Sequence, residues 1–111
     1  MWFYRDYEPS VTLNLADINV NGTYFGSVAD GSAFYRDVPP GRYRIAPVSY
    51  VEDPAEERNV DLVPGQQLYI KIVTLPDWLK GCRDCSRDAF YAWVMPPEAA
   101  QAEIARDRAG I

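Results

Sequence analysis

The run Ile18-Asn19-Val20-Asn21-Gly22-Thr23-Tyr24-Phe25-Gly26 decides the fold class. Asn-Gly between two apolar runs is the preferred centre of a type I′ turn, because both residues tolerate positive φ and the turn matches the twist of two antiparallel strands. A two-residue turn pairs Val20 with Thr23 and Ile18 with Phe25, and places Ile18 and Phe25 together in a core. Upstream, Val11, Leu13 and Leu15 alternate strictly, and Ala16, Ile18 and Val20 continue on the opposite parity. That change of phase implies a bulge or a crossing between sheets near Leu15–Asp17. Downstream, Asp30-Gly31 repeats the turn signal and predicts a meander through Ser32 to Val38.

The same grammar extends to both ends. Trp2-Phe3-Tyr4 reads as a short aromatic strand, broken by turn formers in Tyr7-Glu8-Pro9-Ser10. Pro39-Pro40-Gly41 stops one strand, and Arg42 to Val51 forms the next, with Tyr43 and Ile45 on one side and Arg42 and Arg44 on the other. Pro47 has no N–H for a ladder, so this strand is an edge or bends there. Val60 and Leu62 belong to a short strand. After Pro64-Gly65, Leu68, Ile70 and Ile72 alternate with Tyr69, Lys71 and Val73. Pro76 to Arg87 forms a loop that holds both cysteines, and Phe90 to Met95 is the last strand. Pro97 suits the first position of a helix over 97–108, which carries acids early and Arg106 and Arg108 late, as the helix dipole favours. That helix is Ala-rich and weakly amphipathic, so fraying is expected.

The spacing predicts a single all-β domain over residues 1–111: an antiparallel β-sandwich of seven or eight strands with a short C-terminal helix. The expected core comprises Leu13, Ile18, Val20, Phe25, Tyr43, Ile45, Val60, Leu62, Leu68, Ile70, Ile72 and Val94.

Composition narrows function. The 11 basic and 16 acidic residues leave a net charge of −5, and no basic run is present. Nucleic acids and anionic membrane surfaces need clustered Lys and Arg, so neither is an expected partner. There are no histidines, which excludes Ser-His-Asp and Cys-His catalysis within the chain and removes the commonest zinc ligand. No run of 18 apolar residues exists to span a bilayer as a helix. A strand that begins at Trp2 is an unusual start, and points to a removed leader.

Three segments carry a resemblance. Ile18 to Gly26 resembles V-x-V-D-G-x-x-V-G, and Asp37-Val38-Pro39-Pro40-Gly41-Arg42-Tyr43-Arg44-Ile45 resembles x-L-x-P-G-x-Y-x-I. Val60 to Ile72 resembles a hydrophobic strand followed by G-x-x-Y-Y-V-x-V. In this order they are similar to a family of uncharacterised bacterial envelope proteins, often lipoproteins, and more broadly to transthyretin-like and carboxypeptidase-regulatory-like sandwiches. The resemblance covers roughly residues 2 to 105. It implies an extracytoplasmic β-sandwich, periplasmic or on the outer envelope, with a lipid anchor on a removed leader and a protein partner in the envelope. A cytoplasmic protein is the alternative. No catalytic residue carries over. The Gly81-Cys82-Arg83-Asp84-Cys85 loop departs from the family pattern.

Cys82-x-x-Cys85 has several readings. A redox pair normally opens a helix whose N-terminus lowers a thiol pKa, whereas this pair lies in a loop. Zinc needs four ligands, so two chains would have to share one site. In an exported protein the pair makes a local disulfide, which is the expected state. Glu52, Asp53, Glu56 and Glu57 could offer oxygens to calcium, but Pro54 interrupts them, and a solvated loop is the simpler reading. Paired carboxylates for glycoside hydrolysis need a cleft, for which a sandwich of this size has little room.

Trp2, Tyr4, Tyr7, Trp78, Tyr91 and Trp93 are large rings that either fill the sandwich or form a platform for a ligand. Trp78, Tyr91 and Trp93 are the candidates for binding a small ligand or carbohydrate. The first strand and the Pro47 strand are edges that could accept a partner strand, although Arg42, Arg44 and Pro47 would blunt such pairing. The leading expectation is a non-catalytic envelope module, with no cofactor and no metal, that works through protein contacts. The alternatives are a small-ligand or carbohydrate-binding domain and a thiol-redox accessory protein that uses Cys82 and Cys85.

Overall fold

β-branched and aromatic residues at period 2 build eight strands, and Pro97 opens one helix. The elements are β1 (Trp2–Tyr4), β2 (Ala16–Val20), β3 (Thr23–Val28), β4 (Ala33–Tyr35), β5 (Gly41–Pro47), β6 (Arg58–Leu62), β7 (Tyr69–Trp78), β8 (Ser86–Met95) and α1 (Pro97–Ala109). The computed structural model describes residues 1–7, 15–48, 56–78 and 86–109, without the side chains of 75–78, 86–89, 108 and 109. Two four-stranded sheets face one another. The first has the order β4-β1-β7-β8 and the second β3-β2-β5-β6. The β-sandwich expectation holds, with one refinement. All strand pairs are antiparallel except β1 and β7, which run parallel with Phe3 beside Ile70. The two edges first assigned by sequence are therefore interior strands. β1 lies between β4 and β7, and β5 lies between β2 and β6. Pro47 pairs with Ile18 beyond the last β5–β6 rung at Ile45, so it removes no bond from the β6 ladder.

The Asn-Gly turn forms as expected. Asn21 and Gly22 take φ of 52° and 82°, and Val20 pairs with Thr23. One residue further the register departs from expectation. Asn19 pairs with Tyr24, but Ile18 pairs with Gly26, which leaves Phe25 as the extra residue of a bulge. Phe25 still reaches the core, tilted against Phe3 with ring centroids 5.6 Å apart. Gly26 has a steric reason: a Cβ there would lie 2.9 Å from Phe34 Cζ. The bulge thus falls on β3, while Ala16 to Ile18 pair regularly with Val28 to Gly26; Val11 and Leu13, on which the expected phase change rests, lie outside the described residues.

Asp30-Gly31 does not make a meander. Gly31 adopts φ of 72°, and the turn carries the chain out of the second sheet so that β4 pairs with β1 in the first. Two features favour that crossing. Phe34 stacks on Phe3 at 5.2 Å. The buried Arg5 donates from its backbone to Ser32 O at 3.0 Å and from its guanidinium to Val28 O at 2.9 Å, clamping both sides of the turn. Arg5 also lies 5.3 Å over the Phe90 ring.

The core lies between the sheets. Ile18, Val20, Ile45, Val60, Leu62, Leu68, Ile70 and Ile72 are buried, and Phe25 and Tyr43 pack partly buried against them. Val94 is the exception, 47% exposed, because β8 ends its sheet. Leu13 lies outside the described residues. Met1, Phe3, Val28, Phe90 and Ala92 join the core, and Tyr4, Tyr69 and Ala100 form a second cluster beneath α1.

Candidate functional site

Two places on the first sheet carry chemistry, and both lie on or beside its outer face. Strand register defines that face. Tyr35, Trp2, Tyr69 and Met95 make one row, and Ala33, Tyr4, Lys71 and Trp93 the next. α1 lies across the middle. The helix positions that face the sheet fall at i, i+3, i+4 and i+7: Ala100, Glu103, Ile104 and Asp107. Half of that stripe is acidic, which explains why its sequence reads as barely amphipathic.

The sheet answers those acids with polar groups. Tyr4 Oη donates to Glu103 Oε2 at 2.6 Å. Lys71 Nζ lies 2.7 Å from Asp6 Oδ2 and 3.1 Å from Glu103 Oε2, with the partners' side chains mostly buried. Burial works against the Lys71 charge, but the hydrogen bonds to Asp6 and Glu103 outweigh it and hold the ammonium above its ordinary value. Burial, and then the bond to Glu103, push the Tyr4 phenol up. Arg106 on α1 reaches Asp6 Oδ1 at 3.7 Å from an exposed position. Gln101 Nε2 donates to Tyr69 Oη at 3.0 Å. Asp107 accepts a long bond of 3.5 Å from the Tyr7 backbone. Its other oxygen is buried with no donor among the described residues. A recess of about 210 Å³ beside it is lined by Tyr4, Gly31, Ser32, Ala33, Ile104 and Asp107.

The second place is the β8 edge. β8 pairs with β7 over ten consecutive rungs without a shift, and among the described residues no strand covers its other side. The remaining edges are each blunted: β3 is bulged at Phe25, β4 has three residues, and β6 carries Arg58 and Asp61. On β8 the charges stop at Arg87 and Asp88, and Ala89 to Met95 is uncharged. Trp93 is 44% exposed, and its neighbour Val94 is exposed on the opposite face.

Of the sequence candidates, Tyr91 and Trp93 are two residues apart on β8 and share the outer face, Tyr91 half-buried and Trp93 exposed. The Trp78 side chain lies outside the described residues. Its backbone pairs with Ser86, while Trp93 pairs with Lys71. Seven β7 residues therefore separate the two rungs, about 23 Å at strand spacing. Cys82, Cys85, Glu52 and Asp53 lie outside the described residues; Glu56 is buried and Glu57 exposed. Among the described residues, no group of three or more His, Cys, Asp or Glu is placed to hold a metal ion. No helix among them is long and apolar enough to cross a membrane.

The fold and these features define a two-sheet β-sandwich with one helix-covered outer face and one open, uncharged edge. No family model matches the chain, and no curated protein and no solved structure matches it significantly.

Proposed function

We propose that the protein is a non-catalytic binding or structural module of the bacterial envelope that works outside the cytoplasm through protein contacts, and that it makes those contacts at the β8 edge. The observation that supports this reading is the β8 edge itself: a ten-rung strand whose last seven residues are uncharged, with Trp93 and Val94 exposed at its rim. Such an edge offers a row of backbone donors and acceptors to a partner strand, and alternating side chains supply selectivity. The cluster under α1 fits a structural role better than a catalytic one. Lys71 is committed to two carboxylates and Tyr4 to a third contact with the same Glu103, so neither is poised as a base.

Trp93→Lys tests this reading. A charge at the rim of an edge strand opposes strand addition at little cost to the fold. The native protein in a host extract is expected to run in a complex larger than the free chain, and Trp93→Lys to shift it toward the free mass. Val63→Lys, at an exposed site between β6 and β7, should leave the complex intact. Equal behaviour of all three chains would refute β8 as the contact site.

A further inference from the structure

We infer that a proton on Asp107, shared toward Asp6, clasps α1 to the outer face of the first sheet: the helix docks while Asp107 is protonated and loosens when Asp107 is charged. The geometry carries this. Asp107 is 8% exposed. Its Oδ2 and Asp6 Oδ1 are both buried without a hydrogen-bond donor among the described residues, and Asp107 lies beside Asp6, its Oδ1 accepting the N–H of the next residue, Tyr7. Neighbouring carboxylates cannot both be charged cheaply, and a proton on Asp107 supplies the donor that these two oxygens lack.

Among the described residues, no neighbouring cation replaces that proton. From β7, Lys71 gives its ammonium to Asp6 and Glu103. From β1, the Tyr4 hydroxyl is donated to Glu103. From the described residues after β1, Tyr7 contributes its long N–H bond. On α1 itself, Arg106 reaches toward Asp6 at 3.7 Å with its side chain 70% exposed. The turn before β4 lines the recess with Gly31, Ser32 and Ala33 and brings no cation, and its nearest titratable residue is Asp30, another acid. Among the described residues, three carboxylates, Asp6, Glu103 and Asp107, thus meet one buried ammonium and one peripheral guanidinium. The adjoining recess gives water a path to the pair once it ionises. The apolar hold on the helix is slight, with Ala100 fully buried and Ile104 only partly so, and titration therefore has leverage over docking.

Burial first, then the Asp6 charge, push Asp107 up from 3.8 to about 6. The docked helix therefore binds the proton more tightly than the released one. The stabilisation is fully present below pH 3.8 and is lost as pH rises through about 6. Docking should weaken roughly tenfold between pH 5 and pH 7.5.

Amide hydrogen exchange, corrected for intrinsic rates, reads this directly. The Gln101–Arg106 amides should lose about tenfold in protection from pH 5 to pH 7.5 relative to Ile70 and Ile72 in β7. In Asp107→Asn, whose amide can donate to Asp6 at any pH, helix protection should be flat. The carboxyl carbon of Asp107 in the unaltered chain should titrate near 6, which decides the matter even if the variant does not fold. Helix protection independent of pH in the unaltered chain, an Asp107→Asn chain that keeps its pH dependence, or an Asp107 midpoint near 3.8 would each overturn the clasp.

Discussion

Phe3→Ala should lower the free energy of unfolding by about 3–5 kcal/mol, the usual range for deleting a fully buried aromatic ring. Phe3 has no exposed surface. It stacks on Phe34 at 5.2 Å and tilts against Phe25 at 5.6 Å, so its loss removes two of the three contacts in this ring cluster and leaves only the Phe25–Phe34 contact at 6.3 Å. The site cannot readily collapse, because Phe3 lies on an interior strand held between β4 and β7. Against a total stability of about 5–15 kcal/mol for a domain of this kind, such a loss brings the chain close to unfolding. Urea denaturation monitored by far-UV circular dichroism measures it. A cost below about 1 kcal/mol would mean that β1 does not hold the two sheets together as described.

Lys71→Met should cost about 2–4 kcal/mol at pH 7, somewhat less than breaking a fully buried pair, because the cluster is reached by water at its rim. Methionine keeps the stem but leaves Asp6 and Glu103 without their shared ammonium, with Arg106 at 3.7 Å from Asp6 as the one remaining cation among the described residues. Tyr4 would still donate to Glu103. Adding Glu103→Gln to Lys71→Met should recover part of the loss, since it removes one of the two uncompensated charges. The same denaturation assay measures both chains. No recovery in the double variant would show that the cost came from lost packing and not from charge.

Much of the fold could be read from local chemistry. Asn21-Gly22 has only one favourable use between apolar runs, and the alternation of Leu68, Ile70 and Ile72 leaves only one face for the core. What could not be read is decided across the molecule. The Phe25 bulge depends on Phe34 arriving over Gly26 from another sheet. The destination of the Asp30-Gly31 turn depends on Arg5, which anchors Ser32 and Val28 from far along the chain. Val94 looked like core by parity, yet β8 lies at the end of its sheet, a matter of strand order and not of residue type.

The candidate site divides in the same way. Trp93 and Tyr91 were recognisable as large rings of one parity on the last strand. The helix cluster was not, because apolar periodicity is the signal that marks a buried face, and α1 buries Glu103 and Asp107 among its inward positions. One trace of it was present: Lys71 falls on the parity of Tyr69, so a charged residue belongs to the same face as a buried ring. Only the helix shows what that charge answers.

The most direct test of the proposed function is photocrosslinking in intact producing cells with p-benzoylphenylalanine in place of Trp93, and the same probe at Val63 as the control. The account predicts one discrete protein adduct from position 93, recovered in the envelope fraction, and none from position 63. A protein confined to the cytosol, no adduct at position 93, or equal labelling at both positions would contradict it.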